Sequence, residues 1–245
     1  MTMEKKVTPY KDSDLNKKKQ VEQMFDNISE NYDGLNRVIS FGADIRWRKK
    51  VIKQVCKSNP KTVLDIATGT GDLAIQFAEK LPNSKITGLD LSEGMLKVAR
   101  KKIAGTNLEK NLEFVKGDSE ELPFSDNSFD AITVSFGIRN FEDLEKGLSE
   151  IKRILSPGGV FVILETSVPT KFPFKQGYNI HSKYLLPWIG RMFSKDKSAY
   201  QYLSESASLF PYGERLNNIL QEIGFIEVQH APQTMGVATI YSAKK

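Results

Sequence analysis

The feature that most constrains this chain is an alternation, from Lys61 to about Glu165, of short runs rich in Val, Ile and Leu with longer amphipathic segments. Such a sequence of periods marks βαβ units around a parallel sheet, because each strand is covered on both faces and each crossover helix buries one stripe. The pattern predicts strands over residues 62–66, 85–89, 112–115, 131–135 and 160–164, with helices after Asp72, over 92–103 capped by Ser92, and over 143–155. Ser156-Pro157-Gly158-Gly159 reads as a helix stop and a turn into the next strand. Residues 225–230 and 237–242 read as two closing strands, with a turn around Pro232. The expected fold is α/β: a doubly wound, seven-stranded, mostly parallel sheet with an N-terminal helical segment over 21–58 and a helical cap over 170–212 inserted after the fifth strand.

The length of 245 residues suits one large domain, 21–245, and is short for two. Hydrophobic residues at 40% and charged residues at 27% allow a sizeable core and exclude wholesale disorder. Thirty-five basic against 30 acidic residues leave a net charge of +5, too mild and too dispersed to imply a nucleic-acid partner. The surplus is local: Lys5, Lys6, Lys11, Lys17, Lys18 and Lys19 crowd residues 1–20, read as a flexible, solvated basic tail or, more sharply, as an attachment to an anionic membrane surface. Cys56, the single cysteine, excludes an internal disulfide framework and a thiolate metal cluster. With no apolar run of 18 residues and no signal-type N-terminus, the expected compartment is the cytoplasm. Residues 170–212 hold ten of the 24 aromatic rings, which fits either a cap with an apolar inner face or the ordinary packing of a helical insertion.

Between the first strand and the next helix runs DIATGTGD, residues 65–72, where Gly69 and Gly71 let backbone approach a ligand closely. Gly-x-Gly alone does not choose a ligand. Charge does: Asp72 occupies the helix start that a pyrophosphate would need, and Asp65, Asp90 and Asp118 gather at the carboxyl edge of the sheet. An acidic crevice suits a cationic ligand without phosphate, and S-adenosylmethionine, with its sulfonium, ammonium and ribose diol, meets that description. Asp90 lies 19 residues past Gly71, about where an acidic residue ending the second strand accepts both ribose hydroxyls. Asp118 and Ser119 would flank the adenine, and Ser135, ending the fourth strand, would lie where the methionine end meets the acceptor.

With these residues the chain resembles the class I S-adenosylmethionine-dependent methyltransferases, a Rossmann-like superfamily, and within it the C-methyltransferases of menaquinone and ubiquinone biosynthesis. The resemblance spans about residues 21–241 and rests on three segments: MFDNISENYDGLN at 24–36, TVSFGIRN at 133–140, and RILSPGG at 153–159, the last leading into LETS at 164–167. Leu35, Asp44 and Ser156 depart from the residues usual there, Met, His and Lys. The cofactor contacts carried over are Thr70, Asp90, Asp118, Ser119 and Ser135. The implied reaction is methylation of a ring carbon of a prenylated quinol, demethylmenaquinol to menaquinol or its ubiquinone-pathway counterpart.

Displacement at a sulfonium needs no metal, so positioning does most of the work. The quinol carbon becomes nucleophilic once the neighbouring hydroxyl is ionised. Arg139 is the expected electrostatic clamp on that phenolate, or the orienter of a proton-accepting water, with Asn140 holding the water or the second oxygen. Tyr32, on the N-terminal segment expected to fold over the cofactor, is a third catalytic candidate. The plainer reading pairs Arg139 with Glu142 or Asp143 and leaves Tyr32 in the core. His181 is expected to face solvent and His230 to lie far from the crevice. A quinol resides in lipid, so the aromatic cap would hold the isoprenoid and the basic tail would adhere to the inner face of the membrane. A homo-oligomer is compatible with all of this. The rival classes are a nucleic-acid or protein amino-methyltransferase, whose Asn-Pro-Pro-Tyr type signature is absent after the fourth strand, a non-catalytic cofactor- or quinone-binding subunit, and a dehydrogenase.

Overall fold

The computed structural model describes residues 7–180 and 196–245. Helices α1 (Lys17–Ile28), α2 (Tyr32–Ile39) and α3 (Ala43–Cys56) precede the sheet. The alternating region follows as β1 (Thr62–Ile66), α4 (Asp72–Lys80), β2 (Lys85–Asp90), α5 (Glu93–Ile103), β3 (Leu112–Lys116), β4 (Phe129–Ser135), α6 (Leu144–Ile154) and β5 (Leu155–Thr166). The chain continues through α7 (Phe174–Ile180), α8 (Lys197–Leu209), α9 (Glu214–Ile223), β6 (Ile226–Gln233) and β7 (Ala238–Lys244). One seven-stranded sheet results, in the order β3-β2-β1-β4-β5-β7-β6, parallel except where β7 runs against β5 and β6.

Successive residues of β1 show why a continuous apolar run makes a two-faced strand. Val63 packs with α3, α4 and α5 through Val51, Phe77 and Leu96 on one face, and Leu64 packs with α6 and α9 through Leu148 and Leu216 on the other. A third apolar cluster lies off the sheet, where Met24, Ile28 and Leu35 of α1 and α2 meet Met95 of α5 and Tyr202 of α8. This cluster clamps the N-terminal helices over the carboxyl ends of the strands.

Ser92 caps α5 through its hydroxyl, which accepts from the Met95 amide, and Asp143 caps α6 in the same way. Residues 156–159, expected to end a helix and turn, are instead the opening of a longer β5, with only Gly158 in the left-handed region. The ladder with β7 covers Val160–Thr166, and the earlier start comes from Leu155 pairing with Phe129 of β4 across a register shift, a partnership that local signals do not carry. β6 and β7 likewise run two to three residues past their expected ends, since each completes the other's ladder.

The expected boundary at residue 21 also moves. α1 starts at Lys17, where Asn16 accepts from the Lys19 amide, and the Lys17 ammonium donates to the carbonyls of Arg139 and Phe141. Tyr10 donates to Asp196 and packs on the α1 cluster, so the described end of the basic tail is docked rather than solvated. Of the cap, 181–195, including His181, lie outside the described residues, as do residues 1–6.

Candidate active site

The strand order reverses between β1 and β4, and the loops leaving those strands part to open a crevice. Their separation is small at the floor: a Cβ on Gly137 would stand 2.3 Å from that of Ala67. Ala67 and Phe136, the residues just past the two strands, both hold positive φ, at 52° and 58°. Non-glycine residues in that region are strained, and two at one crevice mark a geometry kept for its use.

Ile66, Gly69, Asp90, Asp118, Ser119 and Ser135 line a cleft of about 700 Å³ at this point, roofed by Lys18, Val21 and Phe25 of α1 and by Tyr32 of α2. Asp90 ends β2 with its side chain buried; Oδ2 accepts from the Gly69 amide at 2.8 Å and Oδ1 from the Ser92 amide at 2.8 Å. Burial pushes its carboxyl up to about 6, with the Ser92, Gly69 and Leu91 amides pulling the other way. Asp90 lines the cleft beside Gly69 and Ser92. Asp118 accepts from Lys18 at 2.5 Å and from the Glu120 amide at 2.9 Å. Ser119 stands beside it on the cleft wall. The Ser135 hydroxyl is buried without a hydrogen-bond partner, although it lines the cleft. A buried polar atom left open costs about 1–3 kcal/mol, which points to a bound polar group that completes it.

Two carboxylates, a threonine and a glycine stand differently from the expectation. Asp65 does not line the cleft; it accepts from Thr68 at 2.7 Å and Thr133 at 2.6 Å beneath the loop, and burial pushes it to about 6 as well. It braces the glycine turn from below. Asp72 turns outward to Lys102 at 2.8 Å and Arg37 at 3.4 Å, so its charge is already met and does not itself bar a phosphate. Thr70 donates to Asp33 of α2 at 2.5 Å and is absent from the cleft wall. Gly71 serves packing: it opens α4 at φ 81°, and a Cβ there would strike the Phe114 ring at 2.6 Å. Asp26 was not singled out, yet it accepts from the Ser92 hydroxyl at 2.5 Å and the Gly94 amide at 2.8 Å, tying α1 to the start of α5. Its place in the 24–36 run was the only available signal.

A second cleft, of about 910 Å³, meets the first at Tyr32 and Phe136. Ile39, Trp47, Leu203, Ala207 and Val237 make its walls largely apolar, and Arg139 and Arg48 both line it. Arg139 follows β4 on a short helical turn and pairs at 2.5 Å with Glu165 of β5, not with the expected sequence neighbours; Asp143 is the α6 cap instead. Asn140 accepts from the Tyr202 hydroxyl at 3.1 Å, and burial pushes that phenol up to about 12. Tyr32 sits between the two clefts, edge-on to Phe25 at 5.9 Å, its phenol also raised by burial. His230 bonds Asn217 at 2.8 Å on β6, away from both clefts.

A seven-stranded sheet with one antiparallel strand and an acidic switch-point cleft defines a class I S-adenosylmethionine-dependent methyltransferase. A methyltransferase of Thermotoga maritima shares the fold, with a TM-score of 0.61 at 21% identity over 91% of this chain and 99% of its own. The chain belongs to the ubiE/COQ5 methyltransferase family, whose model matches residues 13–245. Similar relatives include the demethylmenaquinone methyltransferase of Bacteroides fragilis, 47% identical over 99% of this chain and 98% of that protein. The ubiquinone/menaquinone biosynthesis C-methyltransferase UbiE of Geobacter sulfurreducens is 42% identical over 99% and 94%. Among the described residues no helix is long and apolar enough to cross a membrane.

Proposed function

We propose that this protein methylates a ring carbon of a prenylated quinol, converting demethylmenaquinol to menaquinol. The observation that carries this reading is the junction of the two clefts: an acidic one for the methyl donor and, sharing Tyr32 and Phe136 with it, a largely apolar one lined by Arg139, whose guanidinium donates to the Phe136 carbonyl. In the second cleft a naphthoquinol finds aromatic and aliphatic walls and, at Arg139, a place for an ionised oxygen.

When bound, S-adenosylmethionine supplies a methyl group on a sulfonium, ready for in-line displacement without a metal. On this reading Asp90 receives the ribose hydroxyls, and Asp118 with Ser119 receives the adenine, Asp118 then sharing its carboxylate with Lys18. The Ser135 hydroxyl takes a polar group of the methionine end. Arg139 holds the acceptor oxygen as phenolate, which raises electron density at the neighbouring ring carbon. Asn140, oriented by Tyr202, holds the second oxygen or the water that removes the proton, and the Tyr32 ring closes the donor's methyl end against solvent. Thr70 and Gly71 act by shaping the loop.

The isoprenoid leaves the apolar cleft towards lipid. Val38 and Phe174 are exposed apolar side chains on the helices that carry the lining residues Ile39 and Tyr178, and Lys171 and Lys175 are exposed in the stretch around Phe174. Lys17 and Lys18 are engaged inside the fold, so Lys11 and Lys19 are left of the described tail lysines for an anionic surface. Methyl-labelled donor with chemically reduced demethylmenaquinone tests the reaction: labelled menaquinol is expected, and no transfer to the quinol overturns the assignment. Sedimentation with anionic and neutral vesicles tests the surface, with binding expected only to the anionic ones.

A further inference from the structure

Four side-chain atoms among the described residues are buried without a hydrogen-bond partner, and three of them, Ser135 Oγ, Arg139 Nε and Glu165 Oε2, belong to the carboxyl ends of β4 and β5. Ser135 is explained by the donor cleft. The other two are the two halves of one ion pair, an unused donor and an unused acceptor. Glu165 is 1% exposed, with Oε1 receiving Arg139 Nη1 at 2.5 Å, the Thr166 amide at 2.7 Å and the Thr166 hydroxyl at 3.0 Å. Arg139 Nη1 also donates to the Phe136 carbonyl at 2.9 Å. A buried pair of this kind is a weak source of stability, since hydrophobic replacement is often neutral or favourable. One with an open atom on each partner is weaker still.

We propose that Glu165 is the positioning residue of methyl transfer: by fixing the aim of Arg139 and offsetting its charge, it sets the pH at which the acceptor hydroxyl ionises. The inference rests on the quinol reading above. Thr166, next in the strand, lines the acceptor cleft while Glu165 does not, so Glu165 acts through Arg139 rather than on the acceptor. The ionisable groups around the pair are Tyr32 from α2, Asp44 and Arg48 from α3, which pair with each other, Tyr202 from α8 and Tyr241 from β7, with the Lys17 ammonium on the Arg139 carbonyl. The tyrosines are held neutral by burial and Asp44 offsets Arg48. Glu165 is therefore the charge that most directly tempers Arg139.

Two variants separate charge from reach. Glu165→Gln keeps the shape and removes the charge; the acidic limb of the kcat–pH profile should move to lower pH by about one unit, the order expected for a unit charge a few ångströms away in a partly polar interior. Glu165→Asp keeps the charge and shortens the reach; kcat should fall about tenfold or more, with the limb in place and donor affinity unchanged. The ionisation of bound 1-naphthol, read by absorbance, should show the same downward shift in Glu165→Gln without turnover. An unmoved limb and unmoved naphthol ionisation in the Gln variant overturn the proposal, as does a normal kcat in the Asp variant if the Gln variant does not fold. A loss confined to Tm shows a structural role only and overturns it too. If the wild-type protein leaves the quinol unmethylated, the functional reading fails by itself, and the naphthol titration still decides the role of Glu165.

Discussion

The two clefts that meet at Tyr32 and Phe136 are built on opposite plans. The donor cleft is made at the ends of adjacent strands: Gly69 after β1, Asp90 ending β2, Asp118 after β3 and Ser135 ending β4 all face one crevice because parallel strands end side by side. The acceptor cleft is assembled from pieces far apart in the chain, with α2, α3, the turn after β4, β5, α7 and α8 each giving one to three residues. Polar groups on a rigid sheet edge suit a ligand that must be gripped identically each time, and an apolar hollow between helices suits one held by shape. The two plans predict that damage to one cleft leaves the other working.

The largest expected effect is Arg139→Ala, which should lower kcat by about 10²–10³ while calorimetric affinity for S-adenosylmethionine stays near the wild-type value. A parallel loss of donor affinity would show that the clefts are not separable. Asp90→Ala is the reverse case: the fold survives, donor affinity drops by roughly 10- to 100-fold, and any turnover recovered at saturating donor should approach normal. Unchanged affinity would remove Asp90 from the site.

pH sharpens the contrast. Asp90 must be ionised to accept both ribose hydroxyls, and its carboxyl in the free protein is raised from 3.8 to about 6, so donor affinity should weaken as pH falls through that value. Stability has the opposite sign. A carboxyl with a raised folded pKa binds its proton more tightly in the native state, so Asp90 and Asp65 each favour folding below 3.8 and lose that contribution as pH rises through about 6. Tm of the unliganded protein measured across that window, beside donor titrations, tests both directions. The smallest effect is Tyr202→Phe, which frees Asn140 Oδ1 on the wall of the first cleft; kcat should fall a few-fold and stability by about 1 kcal/mol.

The sheet and most of the donor cleft were legible from residues alone. β1 falls on its expected limits, and Ser92 caps α5 as its spacing before the apolar repeat requires. Both depend on neighbours within a few residues. The misplaced features share the opposite property. Asp72 and Thr70 carry the loop's motif, yet Lys102, Arg37 and Asp33, 30 or more residues away, decide where their side chains turn. The docking of Lys17 and Lys18 depends on Arg139, Phe141 and Asp118, about a hundred or more residues later, so a run of lysines read as solvent-facing is partly interior.

What the sequence by itself determined is therefore the mostly parallel sheet and the acidic residues at its carboxyl edge, because period, turn chemistry and strand ends are local properties. Only the tertiary structure decided which charges remain available. Glu165 shows it: in the chain it is one more acid at a strand end, and in the fold it is the buried partner of Arg139, since an ion pair forms between whichever opposite charges packing brings within reach, at any sequence separation.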